Sequence, residues 1–334
     1  MKWKALTSAL AAAAFLFTVG CAANQNAASG EKVYKIGISQ IVEHPSLDAA
    51  RQGFLAALAD NGLVEGKNLN VDYQTAQGDN STNVTIAQNF KADGKDLVLG
   101  IATPSAIALA DQIKDKPVIF TAVTEPADVG VTNPEKPGGN LTGVSDTHPE
   151  EIQKLMEFIA AHFPNVKKIG TVINQGEPNS VISIERAKEA LSAHGITIEV
   201  KAITNSSEVL QAAESLVGNV DAIFIPKDNT VVSALDAVVG VANKEKLPLF
   251  AGDIDSVQAG AFATFGYKYY DIGYTTGKLA ADILLNGKKP GDIPVGYPEQ
   301  LDLYINETAA AAQGIEITQA IRDLIVDEAS HVFK

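Results

Sequence analysis

From Val33 onward, short runs rich in β-branched and aromatic residues alternate with stretches of helical periodicity. This is the pattern of βαβ units, whose strands pair in parallel inside a layered α/β domain. The spacing predicts strands at 34–41, 68–74, 97–102, 117–123, 168–173, 197–202, 222–226, 248–251 and 262–265, with helices over 46–61, 150–161, 180–194, 207–217 and 270–286. The alternation also repeats. YKIGISQIVEHPS (34–46) matches KKIGTVINQGEPNS (167–180), DLVLGIATPSAIALA (96–110) matches DAIFIPKDNTVVSAL (221–235), and DKPVIFTAV (115–123) matches EKLPLFAGD (245–253). One such match means little because βα units look alike. Three in the same order, at offsets of about 133, 125 and 130 residues, predict an α/β fold of two similar doubly wound parallel-sheet lobes.

Two lobes imply a cleft. Ligands of open parallel sheets sit beyond the carboxyl ends of the strands, so facing lobes would line one cavity with all these joints. KPGGNLTGVSDTHPEE gathers Pro and Gly before a new helix and places a boundary near Asp146–Glu150. Lobe 1 is then read as 33–146 plus about 267–300, and lobe 2 as 147–266 plus about 301–334, with a return crossing near Phe265–Lys268. NETAAAAQGIEI is read as a late strand and turn of the second lobe.

The first 21 residues stand apart: a basic start with Lys2 and Lys4, an apolar run from Ala5 to Val19, then Gly20-Cys21. They read as a secretion signal, too short for a membrane span, and residues 22–32 as a polar, flexible tether. Thr18-Val19-Gly20-Cys21 resembles a bacterial lipobox, which would make Cys21 the lipidated N-terminus of an exported protein anchored to the cell membrane or facing the periplasm. With one cysteine in the chain, an internal disulfide is excluded. Removing the leader takes two lysines and no acid, moving the net charge from −14 to −16. That surface disfavours nucleic acid and acidic lipid as partners.

His44, His148, His162, His194 and His331 are scattered without ligand spacing, so no metal and no cofactor is expected. There is no Gly-x-Ser-x-Gly elbow, Walker loop or dinucleotide fingerprint, and no enzyme activity is expected. Asp253 and Asp255 form one carboxylate pair; Asp255 or Ser256 reads as a helix N-cap, and Asp253, at a strand end, as a ligand candidate. In the TPSA joint, Thr103 suits an N-cap, Pro104 the first helical position and Ser105 the first turn. The free N–H groups and positive dipole end would favour a small anion such as a carboxylate. Capping and ligand binding are both open to Thr103. Its counterpart, Asp228-Asn229-Thr230, offers a carboxylate and an amide, so the opposed joints suit a zwitterion. Asn179 and Ser180 of EPNS, Ser39, Gln40 and His44 of SQIVEH, and Thr121 and Thr124 at the end of the fourth strand extend the candidate set, with capping the alternative for Ser46 and Ser180. Tyr73, Phe120, Phe265, Tyr267 and Tyr270 could stack on a ring or pack in the core.

GIATPSA, KPGGNLTGVSD, GEPNS, PKDNT and YYDIGYTTGKLA, in that order after a lipobox, resemble the ABC-transporter substrate-binding lipoproteins that include tryptophan and other aromatic amino-acid receptors. The resemblance covers roughly residues 33–320. It implies a type I periplasmic-binding-protein fold, a monomer that closes on a free amino acid and delivers it to a membrane permease. It places Thr103, Ser105 and Ala106 near the ligand carboxylate, and Asp228, Asn229 and Asn179 around the ammonium. Pro178 and Lys227 depart from the family pattern; Lys227, on a strand end, is expected to face solvent. A branched amino acid, a short peptide or a sugar is the alternative ligand for the same fold, and a secreted hydrolase or transferase the alternative activity.

Overall fold

The computed structural model describes residues 32–334. The leader, the lipobox with Cys21 and nearly all of the tether lie outside the described residues. No helix among those described is long and apolar enough to cross a membrane.

The described chain forms two sheets. The first has the order β2-β1-β3-β4-β5, built from β1 (Tyr34–Gln40), β2 (Leu69–Thr75), β3 (Leu97–Ile101), β4 (Val118–Val123) and β5 (Leu141–Ser145), and every pairing in it is parallel. The second contains β6 (Lys168–Asn174), β7 (Thr197–Ile203), β8 (Ala222–Ile225), β9 (Leu249–Ala251), β10 (Ala263–Gly266), β11 (Asp302–Asn306) and β12 (Val332–Phe333), in the order β12-β11-β10-β9-β8-β6-β7. Its pairings are parallel except that β11 runs antiparallel to β10. The inner strands β3 and β4 are buried along their whole length. A parallel sheet covered by helices on both faces requires this, and it is why these strands read as continuous apolar runs.

Helices cover both sheets: α1 (Pro45–Asp60), α2 (Asn80–Ala92) and α3 (Thr103–Gln112) on the first, then α4 (Glu151–His162), α5 (Pro178–Ser192), α6 (Val209–Glu214), α7 (Asn229–Val232), α8 (Leu235–Glu245) and α9 (Ile254–Gln258) on the second. The long α10 (Tyr269–Asn286) follows β10 of the second sheet but packs in the first lobe, where Tyr269, Ile272, Ala280 and Ile283 join the core of Ile36, Phe54, Phe90 and Phe120. The second lobe has a core on each face of its sheet, one around Phe224, Phe250 and Phe262, the other around Val172, Leu216 and Leu249. α10 lies against α1 so closely that a Cβ on Gly273 would come within 1.9 Å of the Ala50 carbonyl oxygen, and one on Gly53 within 2.0 Å of that of Tyr270. Glycine there sets the position of α1, whose first turn carries site residues.

Two sequence readings change here. The 306–317 segment, read as a strand and turn, instead carries a helix, α11 (Glu307–Gln313). Asn306 caps it by accepting from the Ala309 N–H at 2.8 Å, and Gly314, at φ 72°, ends it; the strand lies just before, as β11. β5 was absent from the sequence reading because its five residues follow a Gly-Pro-rich turn.

Candidate functional site

The strand ends of the two sheets meet around a small cavity of about 10 Å³, room for about one water molecule. His44, Ser46, Leu47, Ala122, Thr124, Asp146 and Tyr269 line one side, and Asn179, Lys227, Asn229, Val232 and Asp253 the other. Direct bonds close it. His44 Nε2 lies 3.3 Å from Asn229 Oδ1 and Ser46 Oγ donates to Asp253 Oδ1 at 2.8 Å; farther out, Arg186 Nη2 also joins the lobes by meeting Glu125 Oε2 at 2.7 Å.

On the first lobe the β1–α1 joint is pinned by Gln40, whose Nε2 donates to the Val42 carbonyl and to Asp48 Oδ1. His44 occupies the extended N-cap position and Pro45 opens the helix, so the Ser46 and Leu47 N–H groups belong to the first turn, which has no acceptors within the helix. Because Asn229 Nδ2 donates to Glu177, Asn229 Oδ1 faces His44, and the histidine donates from Nε2. Burial holds the His44 pKa below its usual 6.5, against the pull of Asp253, Asn229 and Glu177. Its Nδ1 is buried without a partner.

The TPSA joint is arranged differently from its sequence reading. The N-cap of α3 is Ala102, with φ at 73°, and Thr103 is already inside the helix. Thr103 Oγ1 accepts from the Thr124 N–H at 3.4 Å, while Ser105 and Ser39 both donate to Asn83 Oδ1. Ala106 packs against Gly100. These four residues and Gln40 stand behind the cavity wall. Thr121, also behind it, leaves its Oγ1 without a partner. Ala122, at φ 57° where the β4–β5 register shifts, does reach the lining. Two alanines in left-handed backbone at the ends of β3 and β4 are strain of the kind that collects at binding sites.

On the second lobe the organising group is Glu177, 3% exposed. Its carboxylate accepts from Asn229 N at 3.0 Å, Asn229 Nδ2 at 2.6 Å, Thr230 N at 2.9 Å, Thr230 Oγ1 at 2.7 Å and Asn179 Nδ2 at 3.1 Å. Asn179 also donates to the Lys227 carbonyl, leaving its Oδ1 unpartnered. Asp228 caps α7 through the Val231 N–H and accepts from Asn174 N; burial and Glu177 push its pKa up to about 8. It is wall, not lining, so the carboxylates that reach the cavity are Asp146 and Asp253. Asp253 is itself the N-cap of α9, accepting from Ser256 N and Oγ, which corrects the reading of Asp255 or Ser256 as that cap.

Lys227 faces the cleft and not solvent. Its Nζ pairs with Glu151 Oε1 at 2.6 Å, donates to the Tyr267 hydroxyl at 2.6 Å and bonds the Asp146 carbonyl. The Tyr267 hydroxyl bonds the same carbonyl, and Tyr269 donates to Asp146 Oδ2 at 2.7 Å. Thr124 Oγ1 donates to Asp146 Oδ1 at 3.0 Å. Burial raises Glu151 above the usual carboxylate range and both tyrosines well above theirs. Beside this cluster, and sharing Thr124 and Lys227 with the first cavity, lies a second of about 320 Å³.

Of the other aromatic candidates, Phe120 is wholly buried, Phe265 packs on Phe158 at 6.0 Å, Tyr73 lies under Arg51 at 4.1 Å and Tyr270 stacks on Tyr274 at 6.3 Å. None of the four lines either cavity. No group of three or more potential metal-ligating side chains occurs among the described residues.

A family model described as ABC transporter substrate binding protein matches residues 35–329. The chain belongs to that family. Among substrate-binding relatives, it is 43% identical over 293 residues to a protein named tyrosine-binding protein from Clostridioides difficile, covering 87% of this chain and 84% of the relative. A Streptococcus pneumoniae domain solved in complex with L-Trp is 35% identical, with a TM-score of 0.83 over 88% of this chain and 99% of that one. A Clostridium difficile substrate-binding protein, solved ligand-free and open, is 41% identical but superposes at 0.63, over 86% of this chain and 97% of that one. Solved relatives of lower identity, such as one at 17% and a TM-score of 0.61, share the type I periplasmic-binding-protein fold. This is a substrate-binding protein of an ABC transporter, an extracytoplasmic class.

Five sequence candidates reach the smaller cavity: His44, Thr124, Asn179, Asn229 and Asp253. Sequence reasoning missed Ser46 as a cleft residue, Asp146, Lys227, Tyr269 and the organising Glu177. Asp146 directly follows β5, the strand absent from the sequence reading. Glu177 precedes Pro178, and Glu-Pro reads as the start of a helix, with nothing local to show that its carboxylate reaches α7.

Proposed function

We propose that this substrate-binding protein closes on a free amino acid with an aromatic side chain and delivers it to the permease of an importer. The observation that carries the reading is the cavity lining. Asp146, Asp253 and the unpartnered Asn179 Oδ1 are acceptors for an ammonium group, while the Ser46 and Leu47 backbone N–H groups in the first turn of α1 are donors for a carboxylate. Thr103 and Ser105 act from behind this wall, Thr103 through Thr124, and Asp228 and Gln40 by fixing loops. The relatives named for tyrosine and solved with L-Trp support an aromatic ligand. The higher TM-score against the L-Trp complex than against the open relative supports reading the present arrangement as the closed one. Ligand enters when the lobes part and is held when they close, an equilibrium biased by contacts to both. The protein works as a monomer, held at the membrane by a lipid on Cys21.

A thermal-shift panel of the amino acids, with sugars and short peptides, tests the reading, because a ligand selective for the native state raises its stability. Stabilisation by tyrosine, phenylalanine or tryptophan is expected. Stabilisation by a sugar alone, or by none of the aromatic amino acids, would refute it. The only tryptophan is Trp3, in the leader, so the processed protein has no indole emission to obscure that of added tryptophan.

A further inference from the structure

We propose that the 320 Å³ cavity beside the interlobe site is the subsite for the ligand's ring, and that the Glu125–Arg186 pair at its edge selects a ring bearing a hydroxyl. The inference rests on the amino-acid reading above and names which aromatic class that site takes.

The cavity adjoins the small polar one at Thr124 and Lys227, so a ligand whose charged groups spread the walls of the latter, which now has room for about one water, projects its side chain into the former. Both lobes and a crossing contribute walls: Pro126 from the first, Ile152 and Phe224 from the second, and Tyr297 from the segment leading to β11. The enclosed space therefore depends on closure. Its volume is at the lower end of the roughly 300–1,000 Å³ usual for small-molecule sites, and an apolar cavity of about 150 Å³ already accepts benzene.

The charges on the walls compensate each other. Lys227 is paired with Glu151 at 2.6 Å and Arg186 with Glu125 at 2.7 Å. A charged side chain would meet no uncompensated partner, whereas a neutral ring meets proline, isoleucine and aromatic surfaces. Glu125 and Arg186 are each about a third exposed, whereas Lys227 at the junction is 10% exposed. In this pair the carboxylate offers acceptor positions and the guanidinium offers donors. A phenol hydroxyl both donates and accepts and can use both groups. An indole N–H only donates, and a phenyl ring does neither.

The test is calorimetric titration of the purified protein with L-tyrosine, L-phenylalanine and L-tryptophan. Tyrosine is expected to bind about 10-fold more tightly than phenylalanine, the lower end for a hydrogen bond to a charged group because this pair is partly solvated. Arg186→Met should bring tyrosine down to the level of phenylalanine. Since the bridge also joins the lobes, the tyrosine-to-phenylalanine ratio is the readout; a variant that weakens both equally overturns the hydroxyl assignment. Filling the cavity with Ile152→Trp, or His148→Trp should the first fail to fold, should abolish binding of both ligands, and retained affinity overturns the ring assignment. Equal affinity of the unmodified protein for tyrosine and phenylalanine refutes this inference alone. Binding of no aromatic amino acid refutes the function on which it rests.

Discussion

Replacing Glu177 by alanine removes the acceptor for five donors: the Asn229 and Thr230 backbone N–H groups, the Asn179 and Asn229 amides and the Thr230 hydroxyl. All are buried, and an unsatisfied buried donor costs about 1–3 kcal/mol. Entering water would recover part of this, and relief of Asp228 from a neighbouring acid offsets a little more. The expected loss is about 3–5 kcal/mol, or roughly 6–20 °C in the melting of the second lobe at about 2–4 °C per kcal/mol. Glu177→Gln keeps one acceptor oxygen and should lose about half as much. Ligand affinity should fall at least ~10-fold in the alanine variant, because Asn179 and Asn229 lose the group that orients them. Differential scanning calorimetry with a parallel titration measures both. An alanine variant melting within about 2 °C of the parent with unchanged affinity would refute the organising role assigned to this carboxylate.

Ser46→Ala deletes a hydrogen bond from one lobe to the Asp253 carboxylate of the other, and should weaken ligand binding about 10-fold, with little change in the melting of either lobe. Gly273→Ala forces a Cβ onto the Ala50 carbonyl; it should lower first-lobe stability by about 1–3 kcal/mol, seen as an earlier first transition, and weaken binding through displacement of α1. His44 titrates below its ordinary value in the closed arrangement because of burial, and parted lobes return it toward 6.5. The closed form then binds fewer protons than the open one in the window below about 6.5. Affinity should fall as pH drops through that window and level off above it, and His44→Asn should flatten the profile measured by titration.

The sequence carried the lobes because the alternation of apolar strands and periodic helices is a local pattern that burial enforces along each element. The inner strands β3 and β4 read as apolar runs because helices cover both their faces. Capped ends were legible only in part. Asn306 and Gly314 bracket α11 with ordinary cap chemistry, but the alanine-rich stretch between them has no amphipathic stripe. At the TPSA joint the composition fits an N-cap at Thr103, yet Ala102 takes the cap position in left-handed backbone, and the neighbouring hydroxyls turn inward to Asn83 and Thr124. The site proper was the least legible. Glu177 acts on residues more than 50 positions away, and Lys227 turns from solvent toward Glu151 and two crossing segments. Such contacts follow from how the lobes meet, which no local pattern encodes.

The central claim is that both charged groups of one amino acid are held between the lobes. Titration with L-tyrosine beside tyramine, which lacks the carboxylate, and 3-(4-hydroxyphenyl)propionate, which lacks the ammonium, tests it most directly. The expected result is one-to-one binding of tyrosine, with each analogue weaker by at least ~100-fold, as befits the loss of a hydrogen-bonded charge from a closed site. An analogue that binds as tightly as tyrosine would contradict the account.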